Sequence, residues 1–104
     1  RRALLALALL ATPAAVQTQT SIVVPFPPGG ASDVIGRAVA EAMARASGQP
    51  FVVENVSGAG GTIGAARVAQ GRNDGSILLL GNIGVATAPS LYRNLPYNTE
   101  RDLE

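Results

Sequence analysis

Two glycine-rich turns carry the residue types best suited to holding a ligand. The first, Pro25-Phe26-Pro27-Pro28-Gly29-Gly30-Ala31-Ser32-Asp33, follows the apolar run Ile22-Val23-Val24; the second, Ser57-Gly58-Ala59-Gly60-Gly61-Thr62, follows Phe51-Val52-Val53-Glu54-Asn55. Both read as strand, turn and helix N-terminus. A helix start leaves backbone N–H groups unpaired beside the positive end of the helix dipole, and glycine lets a ligand approach the main chain. Such a turn is a natural seat for an anion, and two of them in one sheet form a cradle for a carboxylate or phosphate.

Other chemistries lack their residues. The sequence has no histidine and no cysteine, so nucleophile pairs built on histidine, His- or Cys-based metal sites and disulfides are outside its reach. Lysine is missing too, all eight basic residues being arginine. A phosphate-binding P-loop ends Gly-Lys-Ser/Thr, and Gly61-Thr62 has no such lysine, which argues against nucleotide hydrolysis. A dinucleotide-binding α/β domain of an oxidoreductase competes better, because Glu54 ends the second strand where a ribose-binding acid belongs. Its first turn, however, reads Pro-Pro-Gly-Gly instead of Gly-x-Gly-x-x-Gly. With no basic run and only two Phe and two Tyr, neither the electrostatic footprint nor the stacking platform of a nucleic-acid binder is present. No cofactor is called for.

The elements that must position these turns follow from the periodicity. Ser21 to Val24 reads as a short strand ended by prolines. From Asp33 the spacing becomes helical: Val34, Ile35, Ala38, Val39, Ala42, Met43 and Ala46 form an apolar face, with Arg37, Glu41 and Arg45 as a ladder opposite. Ser32 or Asp33 is the expected N-cap and Gly48 the C′ residue. Phe51-Val52-Val53 begins a second strand, Thr62 caps a helix carrying Ile63, Ala66, Val68 and Ala69, and Asn73-Asp74-Gly75 marks a turn. Ile77-Leu78-Leu79-Leu80 reads as a third, central parallel strand, followed by a turn at Gly81-Asn82-Ile83-Gly84. Alternating strands and helices predict an α/β fold with a parallel sheet and flanking helices, all strand C-termini on one edge.

Arg1-Arg2 stand before nine apolar residues, Ala3 to Ala11, and Thr12-Pro13-Ala14. This pattern is expected of a secretory signal peptide, residues 1–14, missing its first residues and cut after Ala14; the core is far short of the ~20 residues of a membrane span. Residues 15–104 are then expected to be one incomplete domain, Tyr97 to Glu104 supplying no closing apolar element.

Beyond these physical readings, the chain resembles a known family, the periplasmic substrate-binding receptors of tripartite tricarboxylate transporters, or Bug family. The resemblance rests on Val24-Pro25-Phe26-Pro27-Pro28-Gly29-Gly30 with Asp33, Gln49-Pro50-Phe51-Val52-Val53-Glu54-Asn55, Gly58 to Gly64, Asp74-Gly75 before Leu78-Leu79-Leu80-Gly81, and Ser90-Leu91-Tyr92 with Leu95-Pro96-Tyr97, in the family's order. Val56-Ser57 stands where Arg-Pro is common, and Ser76 where Tyr is common.

The resemblance implies a non-enzymatic, two-lobe Venus-flytrap receptor in the periplasm. It would bind a small carboxylate between its lobes and deliver it to membrane transporter subunits, residues 15–104 forming part of the first lobe. By position it implies ligand-binding roles for Phe26, Gly29, Gly30, Ala31, Ser32 and Asp33, for Gly60, Gly61 and Thr62, and for Asn82 and Ile83. Simpler roles compete: Asp33 as a carboxylate that holds the loop, Ser32 and Thr62 as caps, Glu54 and Asn55 as residues ordering the second loop, Tyr92 and Tyr97 as packing. An exported enzyme with catalytic residues beyond Glu104 is a further alternative. Expressed at full length in a Gram-negative host, the protein is expected to be exported and cut at Ala14; N-terminal sequencing of the periplasmic fraction checks this, and uncut cytoplasmic protein contradicts it.

Overall fold

The computed structural model describes residues 19–104; the expected signal segment and its cut after Ala14 lie outside the described residues. The elements run β1 (Thr20–Val24), α1 (Ala31–Ser47), β2 (Phe51–Asn55), a 3-10 turn (Ala59–Gly61), α2 (Thr62–Ala69), β3 (Ile77–Leu79), α3 (Ile83–Leu91) and α4 (Thr99–Asp102). They build the expected α/β architecture, a parallel sheet with flanking helices.

The strand order is β2-β1-β3, all parallel, with Ile22 opposite both Val53 and Leu78. Among the described residues the central strand is therefore β1, and β3, expected to be central, has one neighbour there. Ile22, Val23 and Val24 are buried, whereas Ile77, Leu78 and Leu79 stay half-buried because β3 pairs with β1 alone among the described residues. The chain leaves β1 for one neighbour and returns beyond it to the other. Right-handed crossovers then put α1 and α2 on opposite faces, α1 against β1 and β2, α2 against β1 and β3.

Both helices bury a different face from the one their apolar spacing suggests. In α1 the buried positions are Asp33, Gly36 and Ala40, while Val34, Ile35 and Met43 are exposed. A Cβ at Gly36 would lie 2.7 Å from Val24 Cγ2; the sheet approaches so closely that the smallest residues, not the most apolar, define the contact. The expected charge ladder splits likewise, Arg45 pairing with Glu41 at 2.9 Å and Arg37 with Asp33 at 3.1 Å. Gly48 ends α1 as expected, with φ +71° and its N–H donating to the Ala44 carbonyl.

In α2 the buried residues are Thr62, Gly64 and Ala65, and Ile63 is exposed. A Cβ at Gly64 would sit 2.6 Å from Pro25 Cβ and 2.9 Å from the Val56 carbonyl oxygen. That contact sets the distance between α2 and the loop after β1. Downstream, the expected turn at Gly81 to Gly84 is shorter, because Ile83 already begins α3, which continues through Pro89.

The Gly64 contact generates a test. Alanine favours a helix interior by about 1 kcal/mol over glycine, but here its methyl group meets backbone on two sides, and overpacking of that kind costs about 1–3 kcal/mol. Gly64→Ala in the full-length protein is therefore expected to lower the midpoint of chemical denaturation; an unchanged or raised midpoint contradicts the close packing of α2 on Pro25.

Candidate functional site

The site is built where β1, β2 and β3 end on the same edge. In the loop after β1, Pro25 is buried, Gly29 adopts φ +89°, and Gly30 is the N-cap of α1 with extended backbone. The expected caps are corrected: Ser32 and Asp33 lie inside the first turn. Asp33 instead turns its carboxylate back into the loop. The Gly29 N–H donates to Oδ2 at 2.9 Å, Asn55 Nδ2 donates to Oδ1 at 3.0 Å, and Arg37 Nε donates to Oδ2 at 3.1 Å. Asn55 also donates to the Phe26 carbonyl at 3.2 Å, so the end of β2 and the first loop are tied together.

Asp33 is 4 % exposed. The Gly29 N–H, then the Asn55 amide and the Arg37 guanidinium, hold its carboxyl below the usual carboxylate range. Among the described residues the N–H groups of Gly30, Ala31 and Ser32 make no hydrogen bond, as befits the first turn of a helix.

The second loop is a run of positive φ: Gly58 +129°, Ala59 +47°, Gly60 +63° and Gly61 +95°. Thr62 is the first residue of α2, not its cap; its hydroxyl donates back to the Ala59 carbonyl at 2.8 Å. The Gly60 N–H is unpaired among the described residues, while that of Gly61 donates to Gly58. A Cβ at Gly61 would stand 3.5 Å from Phe26 Cζ, which places the Phe26 ring beside the second loop.

At the third loop, Asn82 caps α3, its Oδ1 accepting from the Gly84 N–H at 2.8 Å. A Cβ at Gly84 would lie 3.3 Å from the Gly60 carbonyl oxygen, so the second and third loops abut. Ile83 is different: it is 79 % exposed and stands at the rim.

The notch among Pro25, Gly60, Gly61, Thr62, Asn82, Gly84 and Tyr97 has no room for a water-sized sphere. The three loops are packed at their base, and a ligand would meet their outer surface. A larger cleft of about 650 Å³ runs along the open side of β3, past Leu79, Val85 and Arg101, and none of the expected ligand residues lines it.

Two residues were not expected at this edge. Tyr97 closes the notch, burial pushing its phenol pKa up, and the Tyr92 hydroxyl reaches the second loop from the end of α3. Aromatic side chains returning from a distant segment leave no local signal in the sequence. Glu54, the expected ribose acid of the dinucleotide alternative, is instead held by Arg67 Nε at 2.8 Å.

Comparison with known proteins agrees with this architecture. The model of the tripartite tricarboxylate transporter family receptor matches residues 35–104. A UPF0065 protein of Agrobacterium vitis, from the TAR-I ttuE-ttuC′ intergenic region, is 50% identical over 82 residues, covering 79% of this chain and 24% of that protein. The solved structure of the periplasmic binding protein BugD is 47% identical with a TM-score of 0.75, over 78% of this chain and 27% of that one. MatC of Rhodopseudomonas palustris, solved with bound malate, is 41% identical with a TM-score of 0.74, over 81% of this chain and 29% of that one. The chain thus spans about a quarter to a third of the length of the curated relatives it matches.

The Asp33 cluster predicts a pH dependence. Its folded pKa lies below the ordinary carboxylate value, so the stabilisation it contributes is present above that ordinary value and lost as pH falls through the lower folded one. In the full-length protein, Asp33→Asn is expected to reduce stability at neutral pH and to flatten that acid limb. Denaturation midpoints from pH 7 to pH 2 check this; a wild-type minus variant difference that stays constant down to pH 2 contradicts it.

Proposed function

The chain belongs to the receptor family of the tripartite tricarboxylate transporters, and from that premise we propose that its three-loop edge holds a carboxylate group of a small metabolite in a periplasmic solute receptor. The observation that carries the reading is the inward turn of Asp33. A carboxylate facing the ligand would repel an anion; this one is enclosed by its own donors, and among the described residues the N–H groups of Gly30, Ala31 and Ser32 are left without a partner at the positive end of α1, as is that of Gly60 in the second loop. Malate, the molecule bound to MatC, has the chemistry such donors recognise.

Binding here requires no catalytic group, and the role is that of a receptor which hands its ligand to membrane subunits. The signal segment at residues 1–14 gives the periplasmic address. Main-chain donors read one carboxylate and leave the rest of the ligand to the remainder of the full-length receptor.

Substitution at two glycines separates ligand approach from folding. Gly30 has extended backbone, and a Cβ there meets nothing closer than the Pro27 carbonyl oxygen at 3.7 Å, so Gly30→Val is expected to fold. Its branched side chain would stand over the exposed N–H groups and abolish carboxylate binding. Gly60→Val is expected to lose binding through loop strain as well, since Gly60 has φ +63° and a Cβ would lie 2.9 Å from the Tyr92 hydroxyl. Calorimetric titration of malate, succinate and citrate into the full-length variants, with circular dichroism as the fold control, checks both. Wild-type affinity in folded Gly30→Val contradicts the reading.

A further inference from the structure

The second loop combines a strained backbone with an acceptor that draws donors from two places in the chain. Ala59 has φ +47°, the one positive φ outside glycine among the described residues, in a region that L-residues reach only when their surroundings enforce it. Its carbonyl oxygen accepts from the Thr62 N–H, from the Thr62 hydroxyl at 2.8 Å and from the Tyr92 hydroxyl at 3.0 Å. The first two donors are local. The third arrives from 33 residues away, at the C-cap of α3, where the Tyr92 N–H donates to the Ala88 carbonyl.

We propose that Tyr92 is a positioning residue for the second loop, its hydroxyl latching the Ala59 carbonyl so that the Gly60 N–H is held toward the ligand edge. The latch follows from how peptide units share atoms. The Ala59 carbonyl and the Gly60 N–H belong to one peptide plane and point in opposite directions. Fixing the oxygen on Tyr92 and Thr62 therefore fixes the N–H on the other side. Thr62 alone leaves that plane tied only to its own helix, whereas Tyr92 ties it to α3, whose N-terminal Gly84 abuts the Gly60 carbonyl. The phenol is also close enough to police the loop sterically, a Cβ at Gly60 lying 2.9 Å from it.

Tyr92 is 40 % exposed, so the bond competes with water and contributes little to global stability. Its effect falls on the population of the binding-ready loop. A neutral hydrogen bond of this kind shifts such an equilibrium by roughly three- to tenfold.

The test uses Tyr92→Phe in the full-length receptor, which keeps the ring and removes only the hydroxyl. Amide hydrogen exchange at Gly61 and Thr62, both donors within the loop, is expected to accelerate by roughly three- to tenfold at an unchanged melting temperature. Malate affinity is expected to fall by the same factor. Gly60→Ala adds a readout that a merely packed ring would not move: its penalty on malate affinity is expected to shrink in the Tyr92→Phe background, because the atom it meets is gone.

Unchanged exchange and unchanged affinity in folded Tyr92→Phe overturn the latch, as do strictly additive penalties in the double variant. The affinity arm rests on the carboxylate reading of the edge; the exchange arm does not. A wild-type receptor that binds no carboxylate, with exchange still accelerated in Tyr92→Phe, sinks that reading and leaves the latch standing.

Discussion

One buried carboxylate organises the edge of the sheet where the loops meet. A charge removed from water is tolerated only when donors replace its hydration, and Asp33 takes them from a loop N–H at Gly29, a strand terminus at Asn55 and a helix side chain at Arg37. The same requirement pulls the first loop, the end of β2 and the first turn of α1 into one unit. Because the acid faces inward, the helix N-terminus keeps its positive character for whatever approaches from outside. On the proposed reading, folding and binding draw on the same group without conflict.

Close approach is the second constraint. Gly36 lets α1 settle on Val24, and Gly64 lets α2 settle on Pro25 and the Val56 carbonyl. With the helices seated that deeply, the glycine loops of successive β-α units meet side by side: Phe26 lies beside Gly61, and Gly84 beside the Gly60 carbonyl. Larger side chains at the contact positions would spread these loops apart. The bulky apolar residues of α1, Val34, Ile35 and Met43, are accordingly turned away from the sheet.

The strand-turn-helix units, the parallel sheet and the glycine turns were legible because each is a local signal: apolar runs of strand length, glycines at the turns, a C′ glycine at position 48. The buried faces were not. Periodicity counts apolarity, and at Gly36, Ala40 and Gly64 the selected property is small size. α3 was hidden by Gly84 and by Pro89 in its interior, both residues that weaken a helical pattern. At the edge, the loop-holding role of Asp33 could be anticipated from the poor fit between a carboxylate and an anionic ligand. Its bond to Asn55 and the reach of Tyr92 to Ala59 join positions 22 and 33 residues apart, and no spacing rule connects them.

In the proposed receptor, main-chain N–H groups on this edge receive the carboxylate. Amide chemical shifts of the 15N-labelled full-length receptor, followed while malate, succinate and citrate are added in turn, test it most directly. Saturable shifts concentrated at Gly30, Ala31, Ser32 and Gly60 are expected. Shifts that leave these four amides silent and gather along the cleft beside Leu79, Val85 and Arg101 would contradict it.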